Sequence, residues 1–211
     1  RNPTNEEIEM LKMLYEGEVR YVDSCIGELI DQLHDIGMMD NALIFLTADH
    51  GTAFKEHGVF GHAYDILYNE VLHVPLIIWG SGDKGIVREP VELLGVPTTI
   101  LELCGIKKPK TFLGTSLFRR GRSIIFSESA EPDLINLRYN LKRVAISCIY
   151  DGWKLIVNEM RDTIELYNIN NDFGEKRNVL TKAEEIAIRL IKKIKIHKRF
   201  VLKSLSTSTY A

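Results

Sequence analysis

Apolar residues recur at intervals of three and four through the opening stretch of the chain, at Ile8, Leu11, Tyr15, Val19, Val22, Ile26, Ile30 and Leu33. That spacing predicts a single apolar stripe along an unusually long helix. Thr4 stands three residues ahead of Glu7, the arrangement of a capping box, in which a hydroxyl and a carboxylate satisfy the first free backbone N–H groups. Gly37 is placed to end the helix, and Asp40 and Asn41 to turn the chain. The pattern then loses its helical period. Residues 42–48, ALIFLTA, form an unbroken apolar run. Such a run predicts a strand buried on both faces, as in a parallel sheet. Residues 49–66 read as loop, followed by a helix-like turn through Tyr68 and Glu70. A second apolar run, HVPLIIWG at 73–80, closes on Gly80. The stretch PVELLGVPTTILELCGI predicts a helix with Pro97 at its first position and Gly105 as its stop. Helix, strand, loop, strand, helix is α/β organisation. A long helix feeding a buried strand is the second half of a βαβ unit. That unit's first strand would precede the chain's opening RNPTNEE, so the expectation is a piece of a longer protein.

After about residue 121 the runs shorten and become β-rich: RSIIFSES, RVAISCIYDGWKLIV and TIELYNI. Asp151-Gly152 between two of them is a hairpin signal. The reading is a small antiparallel β subdomain at 122–180, after an α/β portion at 1–121. A terminal helix at 181–203 follows, opened by a capping box from Thr181 and Glu184, with Ile186, Leu190, Ile191 and Ile194 as its stripe. Residues 204–211 read as a frayed tail. No internal repeat is present.

Composition narrows the classes. The chain has 211 residues, 45% of them hydrophobic, which is enough for a core. Its formal net charge is −2, so no global basic character points to nucleic acid or an anionic membrane surface. The basic run KKIKIHKR reads as the solvated face of the last helix rather than as a nucleic-acid patch. No apolar run reaches the length of a membrane span, and no secretory leader opens the chain, so compartment stays open. Cys25, Cys104 and Cys148 show no CxxC spacing. They read as buried small hydrophobes in a reducing compartment.

The candidate chemistry lies at TADHGTAFKEHGVFGH, residues 47–62. In open α/β sheets ligands bind just beyond the carboxyl ends of strands, where Asp49 and His50 fall. Asp offers a hard oxygen and His a borderline nitrogen, which together suit Ca²⁺, Mg²⁺, Mn²⁺ or Zn²⁺. Gly51 lets the backbone turn so that both side chains can face one centre. Lys55, His57 and His62 follow in one glycine-rich stretch. They are groups able to bind an oxyanion and donate a proton to a leaving oxygen. Taken alone, Asp-His-Gly equally fits a turn-capping Asp beside a hydrogen-bonding His. Two ligands also fall short of a full shell.

The stretch LTADHGTAFKEHGVFGHAYDILYNEVLHVPLIIWG resembles the C-terminal half of the catalytic domain of the sulfatase family, in the alkaline-phosphatase-like superfamily. LYEGEVRYVDSCIGELIDQL, VELLGVPTTILELCGI, TFLGTSLF and IELYNINNDFGEKRNVL are similar to its flanking segments, in the same order. The resemblance implies part of a three-layer α/β/α core, with a small antiparallel β subdomain and a C-terminal helix. It implies that Asp49 and His50 are metal ligands, with Ca²⁺ the first expectation, and that His62 contacts the sulfate and the leaving oxygen. Lys55 and His57 would stand behind the ligands or against the substrate, and His73 would be structural. The family's nucleophile, a formylglycine made from Cys or Ser in a Cys/Ser-x-Pro-x-Arg motif, has no match here. Neither does its first carboxylate pair, and Thr52 stands where relatives often carry Glu. The implied partners are a sulfate ester and the N-terminal half of the catalytic domain, with self-association through exposed core surface as a further expectation. A phosphoryl-transfer relative of the same fold and a non-catalytic remnant are the alternatives.

Overall fold

The computed structural model describes residues 3–119, 124–133 and 138–207. In chain order the elements are α1 (Asn5–Asp35), β1 (Ile44–Thr47), β2 (Ala53–Phe54), β3 (Phe60–Gly61), α2 (Asn69–Leu72), β4 (Leu76–Trp79), α3 (Gly95–Leu103), β5 (Ile125–Asp133), β6 (Arg138–Tyr150), β7 (Trp153–Asn158), β8 (Thr163–Asn168) and α4 (Glu184–Thr207). They fall into two compact units, one of residues 1–61 and 74–86, the other of 62–73 and 87–211. The chain therefore leaves the first unit at His62 and returns to it at Val74.

In the first unit α1 opens on the predicted capping box. The Thr4 hydroxyl accepts from the Glu7 N–H at 3.2 Å, and the Glu7 carboxylate accepts from the Thr4 N–H at 2.7 Å. The predicted stripe is present, but Ile8 alone on this helix is buried. β1 pairs with β4, and the pairing is antiparallel, with Ile44 opposite Trp79 and Thr47 opposite Leu76. This corrects the expected strand at 42–48, which is shorter, antiparallel to its neighbour, and not buried on both faces. In β4 exposure alternates, and Ile77 and Trp79 point outward. An unbroken apolar run carries no period of its own, so it cannot distinguish a doubly covered strand from one whose second face is open. Gly80 is required where it stands. Its φ is +86°, and a Cβ there would run into the Ala42 carbonyl oxygen. The stretch expected to be loop also holds the short hairpin β2–β3, with Ala53 opposite Gly61.

The second unit is built on an antiparallel meander, β5-β6-β7-β8. The turn between β6 and β7 is the predicted Asp151-Gly152 pair, with φ of 54° and 78°. Positive φ at both central residues matches the twist of the flanking strands. One sheet face packs Val144, Ile146, Cys148, Leu155 and Leu166 against Ala187, Leu190 and Ile194 of α4. The other face packs Ala145, Ile156 and Tyr167 against Leu67, with Tyr68 and Leu72 around it. A sheet covered on both faces gives its strands mixed, near-continuous apolar sequences, as in KLIV of β7.

Three details of the second unit differ from the expectations. Helix α3 begins at Gly95, so Pro97 is its third residue and not its first. Thr181 lies inside a 3₁₀ turn at Leu180–Lys182 rather than next to Glu184, where α4 begins, so α4 does not open on that box. α4 also runs on to Thr207, and the rest of the expected frayed tail, 208–211, lies outside the described residues. Much of the basic run on α4 is tied to the sheet. Lys193 lies over the Tyr150 ring at 4.4 Å, His197 stacks on Phe126 at 3.8 Å and pairs with Glu128, and Lys198 pairs with Glu159 at 2.6 Å. Cys148 is buried as expected, but Cys25 and Cys104 are exposed. Both stand on elements whose outward faces are open, which sequence spacing did not reveal.

Candidate metal and oxyanion site

β1 ends at Thr47, and Asp49 and His50 follow two residues later at its carboxyl end. Their geometry is internally consistent. The His50 backbone N–H donates to Asp49 Oδ1 at 2.9 Å, and the His50 Nδ1 lies 2.9 Å from the Gly51 carbonyl oxygen. A carbonyl can only accept, so Nδ1 donates in this contact, and Nε2 is the ring nitrogen on the Asp49 side. Fixing the tautomer through the far nitrogen is how metal-binding histidines are usually oriented. His50 Nε2 stands 3.7 Å from Asp49 Oδ2, and the Asp49 side chain is 89% exposed. One nitrogen and one hard oxygen thus converge on the same open side of the strand end. This donor set fits a divalent cation as a partial shell. Among the described residues no group of three or more His, Cys, Asp or Glu side chains is arranged to hold an ion.

Lys55 and His57 lie on the hairpin beyond. Lys55 has φ of 71°, and its N–H bonds the Val59 carbonyl at 2.9 Å, which closes the turn. Its ammonium donates to the Pro3 carbonyl at 2.5 Å, so the side chain runs back toward the start of α1. Phe54 packs edge-on against Tyr15 of α1 at 5.3 Å and against Phe60 at 5.8 Å. His57 is half-buried at the hairpin loop. The structure therefore brings Asp49 and His50 together and places Lys55 and His57 in the same unit. His62 is exposed and is the first residue of the other unit.

The stretch after His62 carries a set of polar contacts that the sequence reading missed. The Asp65 carbonyl accepts from Asn158 Nδ2 at 2.9 Å, and its carboxylate pairs with the Arg161 guanidinium. The hydrogen bond to Asp65 is the main reason that guanidinium is held above its usual range. The Tyr68 hydroxyl donates to Glu165 Oε2 at 2.8 Å, and Tyr167 donates to the same oxygen at 3.0 Å. Burial first, and the Glu165 carboxylate after it, raise both phenols. Lys154 and Glu175 form an ion pair at 2.5 Å with both side chains fully buried. Glu175 Oε2 also accepts the Asn69 N–H at 2.6 Å, and Lys154 donates to Asn69 Oδ1 at 2.9 Å. Burial pushes the Glu175 carboxyl up and the Lys154 ammonium down. His73 stacks edge-on with Phe173 at 5.0 Å. One signal was available: a lysine in the middle of the apolar run WKLIV, where a strand with both faces covered has no water for it.

Known proteins resemble this chain along most of its length. Residues 6–106 match the Sulfatase family model. Human Arylsulfatase K (Homo sapiens) is 28% identical over 203 residues, covering 90% of this chain and 37% of that protein. Choline-sulfatase of Rhizobium meliloti (strain 1021) is 29% identical over 182 residues, covering 83% and 34%. The solved phosphonate monoester hydrolase from Silicibacter pomeroyi is 27% identical with a TM-score of 0.79, over 94% of this chain and 43% of that one. The chain thus spans well under half the length of the relatives it matches. No helix among the described residues is long and apolar enough to cross a membrane. The match over residues 6–106, the relatives and the agreement in fold together support reading this chain as similar to sulfatases of the alkaline-phosphatase-like superfamily.

Proposed function

We propose that this chain supplies one wall of the active site of a metal-dependent sulfuric ester hydrolase. The observation that carries the reading is the Asp49–His50 geometry, in which the Nδ1 bond to Gly51 commits Nε2 and Asp49 Oδ2 to one open side. Asp49 and His50 would hold a divalent cation, Ca²⁺ by first expectation, with further ligands from residues beyond this sequence. When bound, such an ion neutralises sulfate oxygens and favours the charged form of a nucleophile, for which this family uses formylglycine. Asp49 brings negative charge and a hard oxygen. His50 adds a nitrogen donor through Nε2, with Nδ1 turned to the Gly51 carbonyl. His62 would hydrogen-bond the ester oxygens and deliver a proton to the departing alkoxide, whose charge must be stabilised for the S–O bond to break. Lys55 and His57 would act on the same side, Lys55 by tying the hairpin to the start of α1.

Support for the ester class comes from the sulfatase relatives. The phosphonate monoester hydrolase of similar fold favours a second reading, in which the oxyanion is a phosphonate or phosphate ester. The test is hydrolysis. The isolated chain with divalent metals turns over neither 4-nitrophenyl sulfate nor 4-nitrophenyl phosphate. Extended by the residues encoded upstream, it hydrolyses the sulfate ester, and Asp49→Ala and His62→Ala each lower kcat/KM by about 10² or more. Turnover by the isolated chain, or full activity in extended Asp49→Ala, rejects the reading. Preference for the phosphate ester selects the second.

A further inference from the structure

We infer that the antiparallel sheet of the second unit positions His62, and that Arg161, Glu165 and Glu175 are the positioning residues through which it does so. The inference rests on the role proposed above for His62. The segment His62–His73 already has apolar anchors, since Ile66, Leu67 and Val71 are 3%, 3% and 6% exposed. Apolar contacts resist removal of a segment from the sheet, but they tolerate sliding and rotation along it. Three polar contacts are added to them, and each has a fixed direction. Asp65 is held at its carbonyl by Asn158 and at its carboxylate by Arg161. It stands three residues from His62, across a turn closed by the Ile66 N–H to the Ala63 carbonyl at 3.0 Å. Tyr68 is held by Glu165, and Asn69 is held by Glu175 and Lys154 at both its backbone N–H and its side chain.

The third contact shows that stability alone does not account for the set. A fully buried ion pair is a weak stabiliser, because desolvating both charges offsets most of their attraction. Apolar residues of the same volume would fill the space at lower cost. What they lack is an acceptor for the Asn69 N–H and a donor for its side-chain oxygen. Tyr68, the residue ahead of α2, provides no side-chain cap, so Glu175, from the loop after β8, accepts the first N–H of this helix. The pair therefore sets the register and orientation of a segment whose first residue is His62.

The experiment uses the full chain with isotope-labelled histidine, read by the His62 imidazole resonances and by amide exchange. The variants are Arg161→Met, with Arg161→Lys as the conservative rescue, and the volume-conserving pair Lys154→Met with Glu175→Leu. The expected result is that the amides of 66–69 exchange about tenfold faster or more and the His62 resonances move, while exchange in β6 and β7 is unchanged. Arg161→Lys restores part of the His62 shift. Two results overturn the inference: His62 resonances that stay in place in both variants, or exchange that rises across β5–β8 together, the mark of a purely structural role. Hydrolysis by extended His62→Gln reads the proposed function separately. If that variant is fully active while the resonances still move as expected, the positioning stands and the catalytic reading of His62 falls.

Discussion

The two units show the same sequence signal with opposite outcomes. In α4 the stripe Ala187, Leu190 and Ile194 is buried against a sheet of the same unit, at 2%, 0% and 5% exposure. In α1 the stripe is equally regular, yet Leu11, Tyr15, Val19 and Val22 on it are 37%, 43%, 52% and 52% exposed. Helical periodicity states which face needs a partner and nothing about whether this stretch of chain provides one. The second unit closes its own core and can spend fully buried charges on register. The first unit leaves apolar side chains of α1 and β4 exposed.

The widest contrast expected is chemical, and it sets the sheet core of the second unit apart from the rest of the chain, since Cys104 belongs to that unit too. Cys25 and Cys104 are exposed, whereas burial pushes the Cys148 thiol up to about 12. At pH 8 only ~10⁻⁴ of Cys148 is thiolate, so native alkylation should modify Cys25 and Cys104 and spare Cys148 until the chain unfolds. Mass spectrometry of the labelled peptides checks this, and rapid native labelling of Cys148 would show that the second unit opens. The linkage follows from the sign. A thiol whose native pKa is raised contributes stability below its ordinary value of 9.0, and that stability is lost as pH rises toward 12.

Next in size is the buried pair. Lys154→Met alone leaves Glu175 charged and buried without its partner, and should cost about 3–5 kcal/mol. The double change to Met and Leu should recover most of it, short of the cost of leaving the Asn69 N–H and side-chain oxygen without these partners, about 1–3 kcal/mol. Urea unfolding followed by circular dichroism gives both values. An additive double variant, no better than the sum of its parts, would mean that the two charges do not share one site.

Plain packing should then divide the units directly. Leu155 is fully buried in β7, and Leu155→Ala should cost about 2–5 kcal/mol, while Leu14→Ala on the open face of α1 should stay within about 0.5 kcal/mol. A large loss at Leu14 would show that α1 is covered in solution, by a second copy of the chain for instance, and light scattering would identify it.

What could be read from the sequence follows the same divide. Local chemistry was legible: the Thr4 box, the Asp151-Gly152 turn and the stripes of α1 and α4 each depend on residues within a few positions of one another. The placing of Asp49 and His50 was legible because the two stand together just past one strand end. Pairing was not. ALIFLTA has no period to reveal that β1 would lie antiparallel to β4 with one face half-open. The contacts of Asp65, Tyr68 and Asn69 were hidden for another reason. Their partners lie 85 to 106 positions away, and no local pattern announces them. Only the lysine inside WKLIV betrayed the network. Thr181 failed because a capping box needs the hydroxyl at the residue before the helix, and a 3₁₀ turn intervenes.

The smallest effect tests whether α1 stands on local interactions. Half of its apolar stripe, Leu11, Tyr15, Val19 and Val22, is exposed, so its capping box should weigh more than such a box does in a packed helix. Removing the hydroxyl with Thr4→Ala breaks the 3.2 Å bond to the Glu7 N–H and leaves the Glu7 carboxylate to hold the Thr4 N–H alone. The expected loss is about 0.5–2 kcal/mol, expressed as fraying at the start of α1 rather than as global unfolding. Amide exchange should quicken through the first two turns of α1, while β5–β8 stay unchanged. If those strands loosen as well, the two units are coupled more tightly than their separate cores require, and the contrast drawn between them must be narrowed to packing alone.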